Sequence, residues 1–210
     1  MTEESSFFNS VNGDRRYDME QFALYFKQFL SSGIYHKNNV PSLKVNIGPG
    51  LNTALETGSA YIEGYMYQNT ENITFTHDAA DTTNARIDRI VLRLDRSLNS
   101  RFIKAFIKKG VPSTNPIPPA LQRDKIIYEI SLAQVRIDAG KNTISSVTDE
   151  RLKQDVAGLV SSLITIPTEQ FQADWENWFL GIKNQIGTRL LYGSSEPSGS
   201  VAGDIWMKSV

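Results

Sequence analysis

ARIDRIVLRLDRSLNSRFIKAFIK, residues 85–108, carries a period of two through both of its halves. Ile90, Leu92 and Leu94 fall on one face with Arg93 and Asp95 opposite, and Ile103, Ala105 and Ile107 repeat the pattern between lysines. Two such runs separated by a polar turn predict paired strands, and the same signal extends in both directions. Upstream, Val45 and Ile47 alternate before a GPG turn at 48–50, and Ile73 and Phe75 suggest a short strand. Ala60, Ile62, Gly64 and Met66 alternate against Tyr61, Glu63, Tyr65 and Tyr67 as if in one strand with two differently used faces. Downstream, Ile126, Tyr128, Ile130 and Leu132 continue the period, followed by Val135 and Ile137. Between these blocks, VPSTNPIPPA (111–120) holds four of the chain's eight prolines, which lack backbone donors and so predict a stiff extended crossover. Roughly six to eight strands are expected between residues 40 and 138, paired antiparallel because no helix-length crossover separates them.

Helical spacing brackets this block. In YDMEQFALYFKQFL, Phe22, Tyr25, Phe26 and Phe29 recur at helical intervals, Asp18 with Gln21 has the form of a capping box, and Gly33 marks the expected end. Towards the other end, Thr148 can cap a helix whose apolar positions are Leu152, Val156, Leu159 and Leu163. Pro167 interrupts, and a second helix from Thr168 carries Phe171, Trp175, Trp178 and Ile182 at the same +4, +3, +4 spacing, widened by Phe179, Ile186 and Leu190. One narrow apolar seam with a polar back can fold onto a β domain or meet an equivalent helix. The two tryptophans favour the equivalent helix, hence a homo-oligomer. Whether the two helices stack as one rod or fold back at Pro167 is left open by the sequence. Residues 193–203, GSSEPSGSVAG, read as a flexible joint before a short β-like run, GDIWMK. The expected fold is α+β: an N-terminal helix with a mostly antiparallel, sandwich-like β domain (1–147), two helices forming an oligomerising stalk (148–192), and a short distal segment (193–210).

Composition narrows the function classes. Apolar residues make up 40% and charged residues 21% of the 210, enough for a core and too little charge for a disordered tail. Basic and acidic residues number 22 and 23, a net charge of -1, which makes nucleic acid a poor partner. Cysteine is absent, which removes disulfides, thiol catalysis and cysteine-ligated metals, and only His36 and His77 remain for histidine chemistry. The opening MTEESSFFNS has acids where a secretory signal needs bases, and no apolar run approaches the ~20 residues of a membrane span. The expectation is a soluble chain made in the cytoplasm without a secretory signal, with no membrane association.

Catalytic or ligand-binding constellations are sparse. Asp78, Asp81, Asn84 and Asp88, beside His77, could in principle surround calcium, but their spacing is not that of an EF-hand and a polar interstrand loop commonly has this composition. His36, in YHKNN, has no carboxylate or serine at a telling spacing. There is no GxGxxG, phosphate-binding glycine loop or HExxH. NGDRR (12–16) offers Arg15 and Arg16, balanced by Asp14. Lys104 and Lys108 in KAFIKKG suit a solvated sheet edge that discourages further pairing. No catalytic residue, metal or cofactor is expected. Tyr61, Tyr65 and Tyr67 leave two readings open: an exposed aromatic face for sugar or protein, or a sheet face covered by the N-terminal helix.

FFNSVNGDRRYDMEQFALYF (7–26), AYIEGYMYQNT (60–70), ARIDRIVLRLD (85–95), FIKAFIKKGVPSTNPIPPAL (102–121), YEISLAQVRIDAG (128–140) and SVTDERL (146–152), in this order, resemble baseplate upper proteins and tail-fibre-like structural proteins of tailed phages infecting Gram-positive bacteria. The resemblance implies a virion component at the tail tip or baseplate, connecting a tail hub to the host-recognition apparatus. It implies a β-rich attachment domain with hub contacts in the segment of Arg15, Arg16, Tyr17, Phe22, Tyr25 and Phe26. The helical stretch from Leu152 to Leu190 would then trimerise. Larger relatives carry a long distal domain, whereas this sequence reads only to GDIWMKSV, which favours an adaptor over direct receptor binding. Contact with a host cell-wall glycan through exposed aromatics is the alternative; an assembly factor or a cell-wall hydrolase are further rivals.

Overall fold

Period-two patterning and turn chemistry divide the chain into many short strands. The structure is a computed structural model and describes residues 3, 5–164, 168–185, 190–195, 198, 199 and 204–208. In chain order the elements are α1 (Met19–Lys27), β1 (Gly33–Ile34), β2 (His36–Lys37), β3 (Val40–Pro41), β4 (Val45–Ile47), β5 (Asn52–Leu55), β6 (Gly58–Ile62), β7 (Tyr65–Asn69), β8 (Ile73–Thr76), β9 (Arg86–Asp95), β10 (Phe102–Lys108), β11 (Ile127–Ile137), β12 (Ser146–Asp149), α2 (Glu169–Gln185), β13 (Leu190–Gly193) and β14 (Ile205–Lys208). The chain is α+β, mostly antiparallel sheet with two helices among the described residues, and it divides into a unit spanning Met1–Ile164 and a second spanning Thr165–Val210.

In the first unit the largest sheet has the order β10-β9-β11-β12, all antiparallel. Ile90, Leu92 and Leu94 of β9 lie opposite Ala133, Ile130 and Tyr128 of β11 on the core face. A bulge between Ser131 and Ala133 shifts the parity, so Ile130 and then Ala133, Val135 and Ile137 share one side. Two three-stranded sheets, β1-β6-β7 and β4-β5-β8, contribute Ile34, Ala60, Ile62, Tyr67, Val45 and Leu55 to the same core.

Residues 60–67 are a hairpin and not one strand. Glu63 and Gly64 have φ of 52° and 91°, so the chain reverses there and Tyr61 opposes Met66. Gly64 is needed twice over, since a Cβ at that position would overlap the backbone of Ala23, the one buried residue of α1. A small-on-small contact and the Lys27–Glu63 ion pair therefore dock α1 on the hairpin turn. Asp18 and Gln21 form the expected capping box, but α1 ends at Lys27, well before Gly33. Gly33 sits in β1, where a Cβ would come within 2.6 Å of the Leu159 carbonyl carbon.

The expected helix over 148–163 is absent. Thr148 pairs with Gln134 in β12 and caps nothing, and the chain then turns and runs as an irregular strap. Helical spacing is overruled by two buried charged side chains. Glu150 reaches the hydroxyl of Ser131, and Arg151 donates to the carbonyls of Pro41 and Ser42. Leu152 and Leu163 are exposed, Val156 is half-buried and Leu159 bridges Ile34. The strap is hydrogen-bonded along residues 29–34, from Leu163 N to Phe29 O (2.8 Å) to Ile34 N donating to Gly158 O (2.9 Å). Residues 148–164 thus belong with the β-rich unit rather than with a stalk.

In the second unit α2 begins where the sequence predicts a helix, and β13 pairs parallel with β14, Leu190 opposite Ile205 and Tyr192 opposite Met207. Leu190 accordingly belongs to a strand and not to the helical seam. Pro167 and Ile186 lie outside the described residues.

Candidate functional site

Three arrangements compete for a functional role: two buried polar clusters and a set of exposed aromatic surfaces. The first cluster joins residues far apart in sequence. The Thr53 hydroxyl lies 3.1 Å from His77 Nε2, and His77 Nδ1 lies 2.8 Å from Asp88 Oδ2. Asp88 Oδ1 also accepts from Arg86 Nε (3.1 Å) and from the backbone of Gly110 (2.9 Å). Burial pushes the Asp88 carboxyl up, but His77, Gly110 and Arg86 outweigh it and hold it below its ordinary value. Hydroxyl, imidazole and carboxylate stand in the order of a hydrolase triad. Thr53 has no solvent-exposed surface, however, and His77 is buried, so the hydroxyl has no route to a substrate. The arrangement pins the loop after β8 to β5 and β9. Arg86 extends the pin by donating to the carbonyls of Asp78 and Ala79.

The three carboxylates among the four possible calcium ligands are each engaged elsewhere. Asp78 pairs with Lys109, Asp81 accepts the backbone N–H groups of Thr83 and Asn84, and Asp88 faces His77. No cluster of three or more metal-binding groups occurs among the described residues.

The second cluster lies on the opposite face of the β9–β11 sheet. Glu129 accepts from Arg93 (2.7 Å), Lys108 (2.6 Å) and the backbone of Gln122 (2.7 Å). Glu150 accepts from Ser131 (2.6 Å) and Gln134 (2.6 Å) and faces Arg89 at 3.1 Å. Burial raises both carboxyls, and the donors more than reverse it: the Gln122 N–H, Lys108 and Arg93 for Glu129, and Ser131, Gln134 and Arg89 for Glu150. Arg89 also holds the carbonyl of Pro119, so the proline crossover is fastened to this face. Its carboxylates are each held by three or more donors or cations of the same unit, and Arg89 Nε faces its carboxylate without a hydrogen bond.

What remains is aromatic and exposed. At the N-terminus, Phe7 stacks against Tyr17, Phe22 and Tyr25 with centroids 4.9–5.5 Å apart, and Tyr25 meets Phe26 and Phe29. The Tyr17 hydroxyl bonds the backbone of Phe8, Arg15 lies over the Phe8 ring at 5.2 Å, and Arg16 is exposed. Because Ala23 is the one buried residue of α1, the rings of Phe22, Tyr25 and Phe26 are left open to solvent. The six residues expected to contact a hub are thereby brought onto one N-terminal surface. Phe7, with a φ of 68°, joins them by ring contacts that no spacing rule anticipates.

On α2, Phe171 is 72% exposed and Trp175, Trp178 and Phe179 are each 54–55% exposed, with the two indoles 4.9 Å apart. Ile182 is half-buried. The helical residues Phe171, Trp175, Trp178, Phe179 and Ile182 therefore share one element, whereas Leu152, Val156, Leu159 and Leu163 do not continue it. Of the three tyrosines offered as an exposed platform, Tyr61 and Tyr67 are buried, and Tyr65 is half-buried with Arg96 at 5.8 Å over its ring. The hairpin reversal at Glu63–Gly64 explains the difference, because it folds these side chains into the sheet packing. No helix of the described residues is long and apolar enough to cross a membrane. Compared with known protein families and with curated proteins, the chain matches none.

Proposed function

We propose that this chain is a non-catalytic structural connector of a tailed-phage baseplate or tail tip, joining a hub to the host-recognition apparatus as a homo-oligomer, with a trimer as the expected copy number. The observation that carries the reading is the exposed aromatic seam of α2. Phe171, Trp175, Trp178 and Ile182 at heptad spacing, with Phe179 widening the stripe, on a 17-residue helix are costly to leave in water and fit an equivalent helix. A helix of this length is marginal alone, so packing must supply its stability. The N-terminal surface of Arg15, Arg16, Tyr17, Phe22, Tyr25 and Phe26 supplies a second aromatic patch, suited to a hub protein. Resemblance of the sequence to phage tail structural proteins supports the particle assignment. Receptor binding through Tyr61, Tyr65 and Tyr67 loses its footing, because two of the three rings are buried.

Light scattering on the full chain and on a truncation ending at Ile164 tests the reading. An oligomer that becomes monomeric on truncation places the contact in the second unit. A full chain that stays monomeric at high concentration removes self-association. Mass spectrometry of purified phage particles from a producing host tests the location.

A further inference from the structure

We propose that the β13–β14 pair is an intermolecular joint: the outer edge of β14 in one copy pairs with the outer edge of β13 in the next, closing the strands into a ring of copies. This deepens the self-association reading and rests on it. A two-stranded sheet is marginal alone, and parallel pairs normally have both faces covered. Here β14 alternates Ile205 and Met207 on one face with Trp206 and Lys208 on the other, and all four are exposed. Among the described residues no third strand joins either edge.

The occupant follows from the edges themselves. They differ from each other, belong to strands of four residues each, and face outward from a pair already parallel. Head-to-tail pairing between copies satisfies both at once and leaves no remainder when the ring closes, whereas one foreign strand would still leave an edge bare. The edges also lack the defence seen elsewhere in the chain. The outer strand β10 carries Lys104 and Lys108, while β13 has no charged residue and β14 has Lys208 alone. The pair and the α2 seam belong to the same compact unit, Thr165–Val210. Summed over two separate elements, Phe171, Trp175, Trp178 and Phe179 of α2 and Ile205 and Trp206 of β14 expose on the order of 700 Å² of side chain. One partner of a stable interface contributes about 800 Å².

Sedimentation equilibrium on the full chain, an Ile205→Ser/Met207→Ser variant and a Trp206→Ser variant tests the joint. Both variants are expected to weaken association at least about tenfold. In the parent, amide exchange at Leu191 and Met207 is expected to slow as concentration rises, a readout that needs no substitution. A parent that associates while both variants match it, with exchange independent of concentration, overturns the joint and leaves the α2 seam standing. A parent that remains monomeric at about 100 µM overturns both.

Discussion

Glu150→Ala separates the observed strap from the helix that the spacing of Leu152, Val156, Leu159 and Leu163 predicts. In a helix starting at Thr148, Glu150 would sit in the first turn facing solvent, and its loss would cost about 0.3–1 kcal/mol through the macrodipole. In the structure its side chain is 2% exposed, accepts from Ser131 and Gln134, and lies 3.1 Å from the equally buried Arg89. Truncation would leave the Arg89 guanidinium buried without its carboxylate, which costs about 3–5 kcal/mol. Glu150→Gln retains an acceptor for Ser131 but loses the charge, so it is expected to fall between the two. All three tryptophans lie in the second unit, so indole fluorescence follows that unit alone. Urea unfolding of the first unit is therefore followed by far-UV circular dichroism. A drop in midpoint at unchanged slope gives the stability loss. A loss below about 1 kcal/mol for Glu150→Ala would refute the buried-strap geometry and restore the helix.

Acid should act through the same carboxylates. Asp88, Glu129 and Glu150 are held below their ordinary values in the folded chain, so the stability they contribute is present above the unfolded values. It should be lost as pH falls below about 4.5 through the folded values, and Glu129→Gln should flatten that loss in a pH series of urea midpoints. Gly64→Val forces a branched side chain to a φ of 91° against the Ala23 backbone, at a cost of about 2–4 kcal/mol; faster proteolysis at α1 should accompany it. His77→Ala leaves Asp88 and Thr53 without their shared partner and should cost about 1–3 kcal/mol in first-unit unfolding, with no change in association. Trp178→Ala should leave first-unit unfolding untouched and weaken association by about 3–5 kcal/mol, which concentration-dependent light scattering reads directly.

Where sequence reading succeeded and failed follows from what each signal measures. Alternation of Ile90, Leu92 and Leu94 marks a half-buried strand whatever surrounds it, and β9, β10 and β11 are where that pattern placed strands. The parity change from Ile130 and Leu132 to Val135 and Ile137 was visible as well, and it is the bulge. The 60–67 run misled because a two-residue turn inverts the phase of alternation. Ile62 opposes Tyr65 and Ala60 opposes Tyr67, so Tyr65 and Tyr67, not Met66, share the core face with Ala60 and Ile62. Glu63–Gly64 before an aromatic run was the available clue. The 148–163 helix failed because apolar spacing says nothing about where Glu150 and Arg151 go, and their partners Arg89, Ser131, Pro41 and Ser42 lie tens of residues away. The Thr53–His77–Asp88 link was hidden for the same reason: His77 and Asp88 stood out as polar loop residues, but their joining with Thr53 is set by sheet register rather than by sequence neighbourhood.

Fastening by charge has a consequence for where apolar surface ends up. Most small β units close with apolar residues on every contact, but here one face of the β9–β11 sheet is covered by backbone held through Glu129 and Glu150. Arg123 continues the same device, donating to the carbonyls of Glu129, Asp155 and Val156 while stacking on Tyr128. Single carboxylates and guanidiniums with three or more partners hold the crossover and the strap where large apolar side chains would otherwise be required. The core of the first unit draws its rings from Tyr67, Tyr65, Phe75 and Tyr128 on the sheets, and none of the exposed rings of α1 and α2 belongs to it. Removing Phe26 or Trp175 should accordingly leave folding of the β-rich unit unchanged. A stability loss there would mean that these rings are core after all and would undo the assignment of both surfaces to assembly.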